Sequence, residues 1–189
     1  MSSSESKLFV ISGPSGAGKG TLVARVRAQF PNLGLTVSAT TREPRAGEVD
    51  GVNYYFLTDD EFSRRVAAGE FIEWAQVHDH RYGTLSSEVE RNLATGQSLI
   101  LEIDVQGALN VKKRFPDAVL IFIEPPSLDV LRERLLGRGS ETPESLELRM
   151  ADAEREMALV DRYDEVVVND ELECATDDLL AVLKRYERN

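Results

Sequence analysis

The stretch ISGPSGAGKGT, residues 11–21, decides the reading of this chain. Gly13 and Gly18 bracket four residues and Lys19 follows, a G-x-x-x-x-G-K pattern. LFVI (Leu8–Ile11) before it reads as a strand and LVARVRAQF after it as a helix, the context that gives the pattern weight. The chemistry explains the composition of the loop Gly13, Pro14, Ser15, Gly16, Ala17, Gly18, Lys19, Gly20 and Thr21. Glycines let backbone N–H groups close on a phosphate, the helix N-terminus adds positive potential, and Lys19 reaches the terminal phosphates. A ligand-free glycine turn is the alternative, and it leaves the lysine and the helix unexplained. Gly20 stands where Ser or Thr commonly follows the lysine. The hydroxyl comes one place later at Thr21, the candidate Mg2+ ligand, directly or through water.

Outward from the loop, short apolar runs alternate with amphipathic stretches. Leu8–Ile11, Ser98–Ile103, Val119–Ile123 and Glu165–Val168 read as strands buried on both faces. Ser127 is placed to cap a helix carrying Leu128, Leu131 and Leu135. Thr142 followed by Pro143 gives a cap and a first-turn proline, and Leu146, Met150, Ala153, Met157 and Val160 form one stripe behind them. Such alternation predicts an α/β fold, a parallel sheet core flanked by helices. Residues 38–84 break the rhythm with polar, aromatic and turn-rich sequence. Thr58 with Glu61 predicts a capping box and Gly69 a helix stop inside this insertion, flanked by antiparallel strands.

The formal charge of −11 argues against a sequence-independent grip on DNA or RNA, which needs a basic surface. An anion site here must therefore be local, built from a few focused arginines. The longest apolar run, Ala118–Ile123, is too short to span a bilayer. One cysteine, Cys174, permits no internal disulfide, fits a reducing compartment, and reads as a buried helix residue. The polar start MSSSES lacks the apolar core of a signal peptide, so the chain reads as cytoplasmic. His78 and His80 lack a third ligand at suitable spacing, and a metal there is not expected.

The insertion carries the remaining chemistry. Arg42 and Arg45 sit three apart among turn residues and suit a phosphate clamp, with a solvated basic turn as the alternative. Tyr54 and Tyr82 each have a hydroxyl for a phosphate oxygen, or serve packing. Glu73 is the sharpest candidate for specificity. Guanine presents two adjacent donors that one carboxylate accepts together, whereas adenine presents an acceptor at its ring position. Arg134 and Arg138 share a helix face, and Arg149 lies at the edge of a buried stripe; ordinary surface charge is the alternative for each.

In order, GPSGAGKGT, SATTREPRAGE, GVNYYF, EFIEWA, YGT, EIDVQG, RGSETPES and VVND resemble guanylate kinase from about Leu8 to Tyr186. The G-K-G-T form of the loop is likewise familiar from nucleoside monophosphate kinases rather than GTPase switches. The resemblance implies a single domain over 1–189 with a P-loop NTPase fold. Its core would be 7–37 and 85–189, with a helical lid at about 136–148 and a small mixed GMP-binding subdomain at 38–84. It implies ATP-dependent phosphorylation of GMP, and of dGMP, with Mg2+. Small molecules would be the partners, with no nucleic acid polymer or membrane, in a monomer or homo-oligomer. Carried over by residue, Ser38, Glu73, Thr84 and Asp104 would read guanine; Arg42, Arg45, Tyr54 and Tyr82 would hold its phosphate. Lys19, Arg42, Arg134, Arg138 and Arg149 would converge on the transferred group, and Asn169 would contact adenine. Closure of insertion and lid over the substrates is expected. Two other readings are a catalytically silent guanylate kinase-like scaffold domain, which typically has a degraded loop, and an adenylate or cytidylate kinase, which Glu73 disfavours.

Overall fold

The computed structural model describes residues 6–30, 32–77, 79–137 and 142–187. In chain order the first half holds β1 (Leu8–Ser12), α1 (Lys19–Gln29), β2 (Gly34–Leu35), β3 (Ala39–Thr40), β4 (Tyr55–Phe56), α2 (Asp59–Ala67), β5 (Phe71–Val77) and β6 (His80–Leu85). The second half holds α3 (Ser86–Ala94), β7 (Leu99–Glu102), α4 (Val105–Arg114), β8 (Val119–Glu124), α5 (Leu128–Leu136), α6 (Pro143–Met157), β9 (Glu165–Val168) and α7 (Leu172–Glu187).

Five strands form a parallel sheet in the order β2-β7-β1-β8-β9. Strand β1 lies between β7 and β8, and all its side chains are buried. Its two-residue alternation sends Phe9 and Ile11 to one face, among Leu22 and Val26 of α1 and Leu179 and Leu183 of α7. Leu8 and Val10 face the other way, among Val89 of α3 and Ala108 and Val111 of α4. Helices thus cover both faces, as an all-parallel sheet requires. The outer strand β9 departs from the expected two-sided burial: Val167 is 2% exposed, but Val166 and Val168 are 44% and 47% exposed. Among the described strands it pairs only with β8, so it forms the edge of the sheet.

The caps follow the sequence. Ser127 Oγ accepts from Val130 N, and Thr142 Oγ1 accepts from Ser145 N in a reciprocal capping box. Helices α5 and α6 pack through Leu131, Leu135, Leu146, Met150 and Ala153; Val160, expected on that stripe, falls in a separate 3-10 turn. Thr58 caps α2, although Glu61 turns its carboxylate to Arg65 instead of closing the box. Gly69 (φ +68°) ends the helix in a Schellman turn, with Gly69 N on Val66 O and Glu70 N on Arg65 O. Cys174, expected to be buried, lies on the exposed face of α7.

The other sheet, β4-β3-β6-β5, is mixed. Its β5–β6 and β3–β6 pairs are antiparallel, but β3 and β4 run parallel, against the expectation for the flanking strands. Residues 41–54 join β3 to β4, a connection long enough for a crossover where a hairpin turn is not. Phe62 of α2 stacks on Phe71 at 4.4 Å between centroids and closes this sheet's own small core with Ala39 and Leu85.

At the carboxyl end of β1 the chain bends over its neighbour. Gly13 has φ +139°, and a Cβ there would lie 2.2 Å from the Ile123 carbonyl oxygen of β8. Gly13→Ala combines left-handed strain with a backbone clash, each of order 1–3 kcal/mol. A loss of about 3 kcal/mol or more, or roughly 6–12 °C in Tm for a chain of this size, is expected by calorimetry. An unchanged Tm would contradict this packing.

Candidate active site

Four strand ends meet at one rim: Ser12, Glu102, Glu124 and Val168 close β1, β7, β8 and β9. The strand order turns outward from β1 to both sides, the place where open parallel sheets hold ligands. Across this rim run residues 13–18. Gly16 and Gly18 adopt φ +93° and +90°, and Ala17 N closes the turn on Pro14 O. Helix α1 starts with no side-chain cap and no acidic residue in its first turn. Its leading N–H groups and dipole are therefore presented to an anion. Lys19 Nζ folds back across the turn and donates to Gly13 O at 2.5 Å and Pro14 O at 3.0 Å.

Two carboxylates beside this lysine were not singled out in the sequence. Glu102 ends β7, with Oε1 3.5 Å from where a Cβ on Gly20 would stand. Burial pushes its carboxyl above the ordinary value, and Lys19 pulls it back. Glu156 of α6 is shifted the same way by burial, with Lys19 again opposing. The signal for Glu102 was an acid at the last position of a strand flanking β1. For Glu156 it was the two-turn spacing from Arg149, which puts both on one helix face.

The insertion gathers its arginines and tyrosines around one acid. Arg42 Nη2 donates to both oxygens of Glu48, at 2.8 and 2.9 Å, and Nη1 to Glu43 O at 2.7 Å. The guanidinium lies 5.5 Å from the Tyr54 ring centroid, and the Tyr54 and Tyr82 rings meet edge-on at 6.0 Å. Arg45 joins through its backbone, whose N–H donates to Glu48 Oε2 at 2.7 Å, while the residue itself is exposed. The Arg42 hydrogen bonds hold the Glu48 carboxyl below its ordinary value. Glu48 was missed; its only sequence signal is an acid within reach of two arginines in a tight turn.

A carboxylate pair lines a separate cleft. A register shift between Phe71 and Glu73 sets Glu73 opposite Thr84, whose Oγ1 donates to Glu73 Oε1 at 2.7 Å. Burial pushes the Glu73 carboxyl up; the Thr84 hydrogen bond opposes this and the Asp104 charge adds to it. Asp104 caps α4, accepting from Gly107 N at 2.6 Å. A Cβ on Gly107 would stand 3.2 Å from Asp104 Oδ1 and 3.3 Å from Glu73 Cγ, so these groups are packed together. They line a cleft of about 260 Å3 with Trp74, Gln106 and Asn110. Ser38, half-buried, gives its carbonyl to Tyr55 N in the sheet.

The remaining expected residues divide. Arg149 of α6 reaches the loop, with Nη1 donating to Ser15 Oγ at 2.8 Å. Arg134 of α5 points to the end of β9, donating to Asn169 O at 2.8 Å and Asp170 O at 3.4 Å. Asn169 is buried, and its Nδ2 donates to Ala17 O at 2.7 Å. Thr21 is exposed on the first turn of α1. Arg138 and His78 lie outside the described residues.

The guanylate kinase family model matches residues 5–186. A guanylate kinase of Clostridium perfringens is 52% identical over 176 residues, covering 93% of this chain and 82% of that protein. One from Carboxydothermus hydrogenoformans is 51% identical over 176 residues, covering 93% and 86%. The crystal structure of guanylate kinase from Anaplasma phagocytophilum superposes with a TM-score of 0.73 at 32% identity, covering 98% of this chain and 88% of that one. An uncapped helix start with its lysine, an arginine–tyrosine cluster on the insertion and a half-buried carboxylate beside Asp104 thus occur in a chain that belongs to the guanylate kinase family.

Proposed function

We propose that this chain transfers the γ-phosphoryl group of ATP to GMP, giving ADP and GDP, with the roles assigned to its residues as follows. The observation that carries the reading is the half-buried Glu73 carboxylate, held by Thr84 and lining a cleft on the same molecule as the loop at 13–21. Glu73, with Thr84, Asp104 and Ser38, reads the two adjacent guanine donors. Arg42, Arg45, Tyr54 and Tyr82 take the GMP phosphate, and residues 13–21 take the ATP phosphates. Arg149, with Arg138, offsets charge on the transferred group. The attacking group is a phosphate oxygen, already anionic at neutral pH, so positioning and charge stabilisation carry the catalysis. Closure of insertion and lid would exclude water from the transfer.

Hard oxygen donors, the Thr21 hydroxyl and the Glu102 carboxylate, flank the loop and suit Mg2+, which keeps several waters and takes few protein ligands. When bound, the ion would supply charge neutralisation on the phosphates. Every base reader addresses guanine and none the sugar, so dGMP is proposed as a second acceptor. A cytoplasmic setting fits the exposed, unpaired Cys174.

An assay of ADP release tests the proposal: release should require GMP or dGMP, and equal release without a monophosphate would contradict it. Glu48 orients Arg42, so Glu48→Ala should raise KM for GMP about tenfold with a smaller change in kcat, since small misplacements of a clamp are costly. Steady-state kinetics check this, and an unchanged KM would remove Glu48 from the site.

A further inference from the structure

Asn169 was expected at the adenine, yet its side-chain amide is turned onto the phosphate loop. The residue is 5% exposed, and its Nδ2 donates to Ala17 O at 2.7 Å. A Cβ on Gly18 would stand only 2.4 Å from that nitrogen, so the amide lies directly against the last glycine of the loop. Its backbone is fixed from two sides. Asn169 N donates to Glu124 O at the end of β8, and Asn169 O accepts from Arg134 of α5.

The stereochemistry of one peptide unit gives this contact a consequence. The chain has no cis peptide bonds among its described residues, and in a trans planar unit the C=O and N–H point in opposite directions. Ala17 C=O and Gly18 N–H belong to the same unit. Holding the carbonyl inward, against the core that contains Ala17 and Val167, aims the Gly18 N–H outward. Among the described residues no backbone carbonyl outside the regular helices and strands accepts from that N–H. It stands immediately before Lys19 at the start of α1, where an anion would be bound.

We propose that Asn169 is a positioning residue of the phosphate loop. By gripping Ala17 C=O it aims the Gly18 N–H at the triphosphate, and through Arg134 it ties helix α5 to the loop. Its contribution is to phosphate binding and is indifferent to the base. The inference rests on the reading of residues 13–21 as the ATP site, and the test separates the two.

Calorimetric titration of the full chain with Mg·ATP, Mg·tripolyphosphate and GMP, for wild type, Asn169→Ala and Asn169→Asp, tests it. Tripolyphosphate carries no base. The alanine variant should lose about tenfold in affinity for ATP and tripolyphosphate alike. The aspartate variant should lose more, because it sets an acceptor against the Ala17 carbonyl. GMP affinity should stay within about twofold. Loss for ATP with tripolyphosphate unchanged would make Asn169 a base reader and overturn the proposal. Equal loss for all three ligands with a lowered Tm would make its role general stability and overturn it too. Wild type that binds neither ATP nor tripolyphosphate would sink the loop reading itself. Should the variants fail to fold, amide exchange on wild type decides: the Gly18 N–H should gain protection on adding tripolyphosphate, and no gain would overturn the assignment.

Discussion

Glu73→Gln lowers kcat/KM for GMP by about a thousandfold. The glutamine keeps one acceptor and puts an NH2 donor where guanine also presents a donor, so a charge-assisted pair is lost and a donor faces a donor. Hydrogen bonds to a charged group contribute about 1.5–3 kcal/mol each, and a polar mismatch in a closed site discriminates by up to roughly 10^4–10^5. The loss should appear mainly in KM for GMP, and AMP should gain relative to GMP because the new donor suits the adenine ring acceptor. The pH profile makes a second check. Burial raises the Glu73 carboxyl, so lowering pH through that raised value protonates the acceptor and KM for GMP climbs in wild type but not in the glutamine variant. Stability runs the other way. The folded state holds this proton more tightly than the unfolded chain, so the stability contributed by protonated Glu73 is fully present below the unfolded value of 4.5 and lost as pH rises through the folded one. Equal GMP kinetics in the two proteins would remove Glu73 from recognition.

Lys19→Met lowers kcat by about a hundred- to a thousandfold, the range for removing one preorganised charge from a transition state. The ammonium already spans the loop through Gly13 O and Pro14 O, and it sets the balance of Glu102 and Glu156. Without it both carboxyls rise further, since Lys19 is the group that opposes their burial. Binding of GMP should change little, because Arg42 and Tyr54 lie on the insertion. Steady-state kinetics with a parallel GMP titration check this; a variant retaining a tenth or more of wild-type kcat would mean that the helix N-terminus alone suffices.

The parts of this molecule that were legible in the sequence are those set by local chemistry. Gly13, Gly18 and Lys19 mark a tight turn running into a helix, and Gly13 and Gly18 do adopt positive φ before α1. Thr142–Pro143 and Ser127 mark helix starts for the same local reason. Burial of β9 was not local: Val166 and Val168 read like any core run, and only their place at the sheet edge exposes them. Cys174 likewise depends on which side of α7 meets the core. Glu48, Glu102 and Glu156 look like surface acids until the fold sets them beside Arg42 or Lys19. The expectation for Asn169 came with the resemblance, and the pairing of its amide with Ala17 bridges far more chain than a sequence pattern can show.

One measurement tests the central claim most directly. The chain is incubated with γ-32P-labelled ATP and Mg2+ beside GMP, AMP, CMP and UMP in separate reactions, and the labelled products are separated. The account predicts label in the β-phosphate of GDP, with the other monophosphates labelled at least about a hundredfold more slowly. Label on another monophosphate at a comparable rate would contradict the Glu73 account of specificity. No labelled diphosphate from any of them, with the fold intact, would contradict the kinase and favour a binding domain.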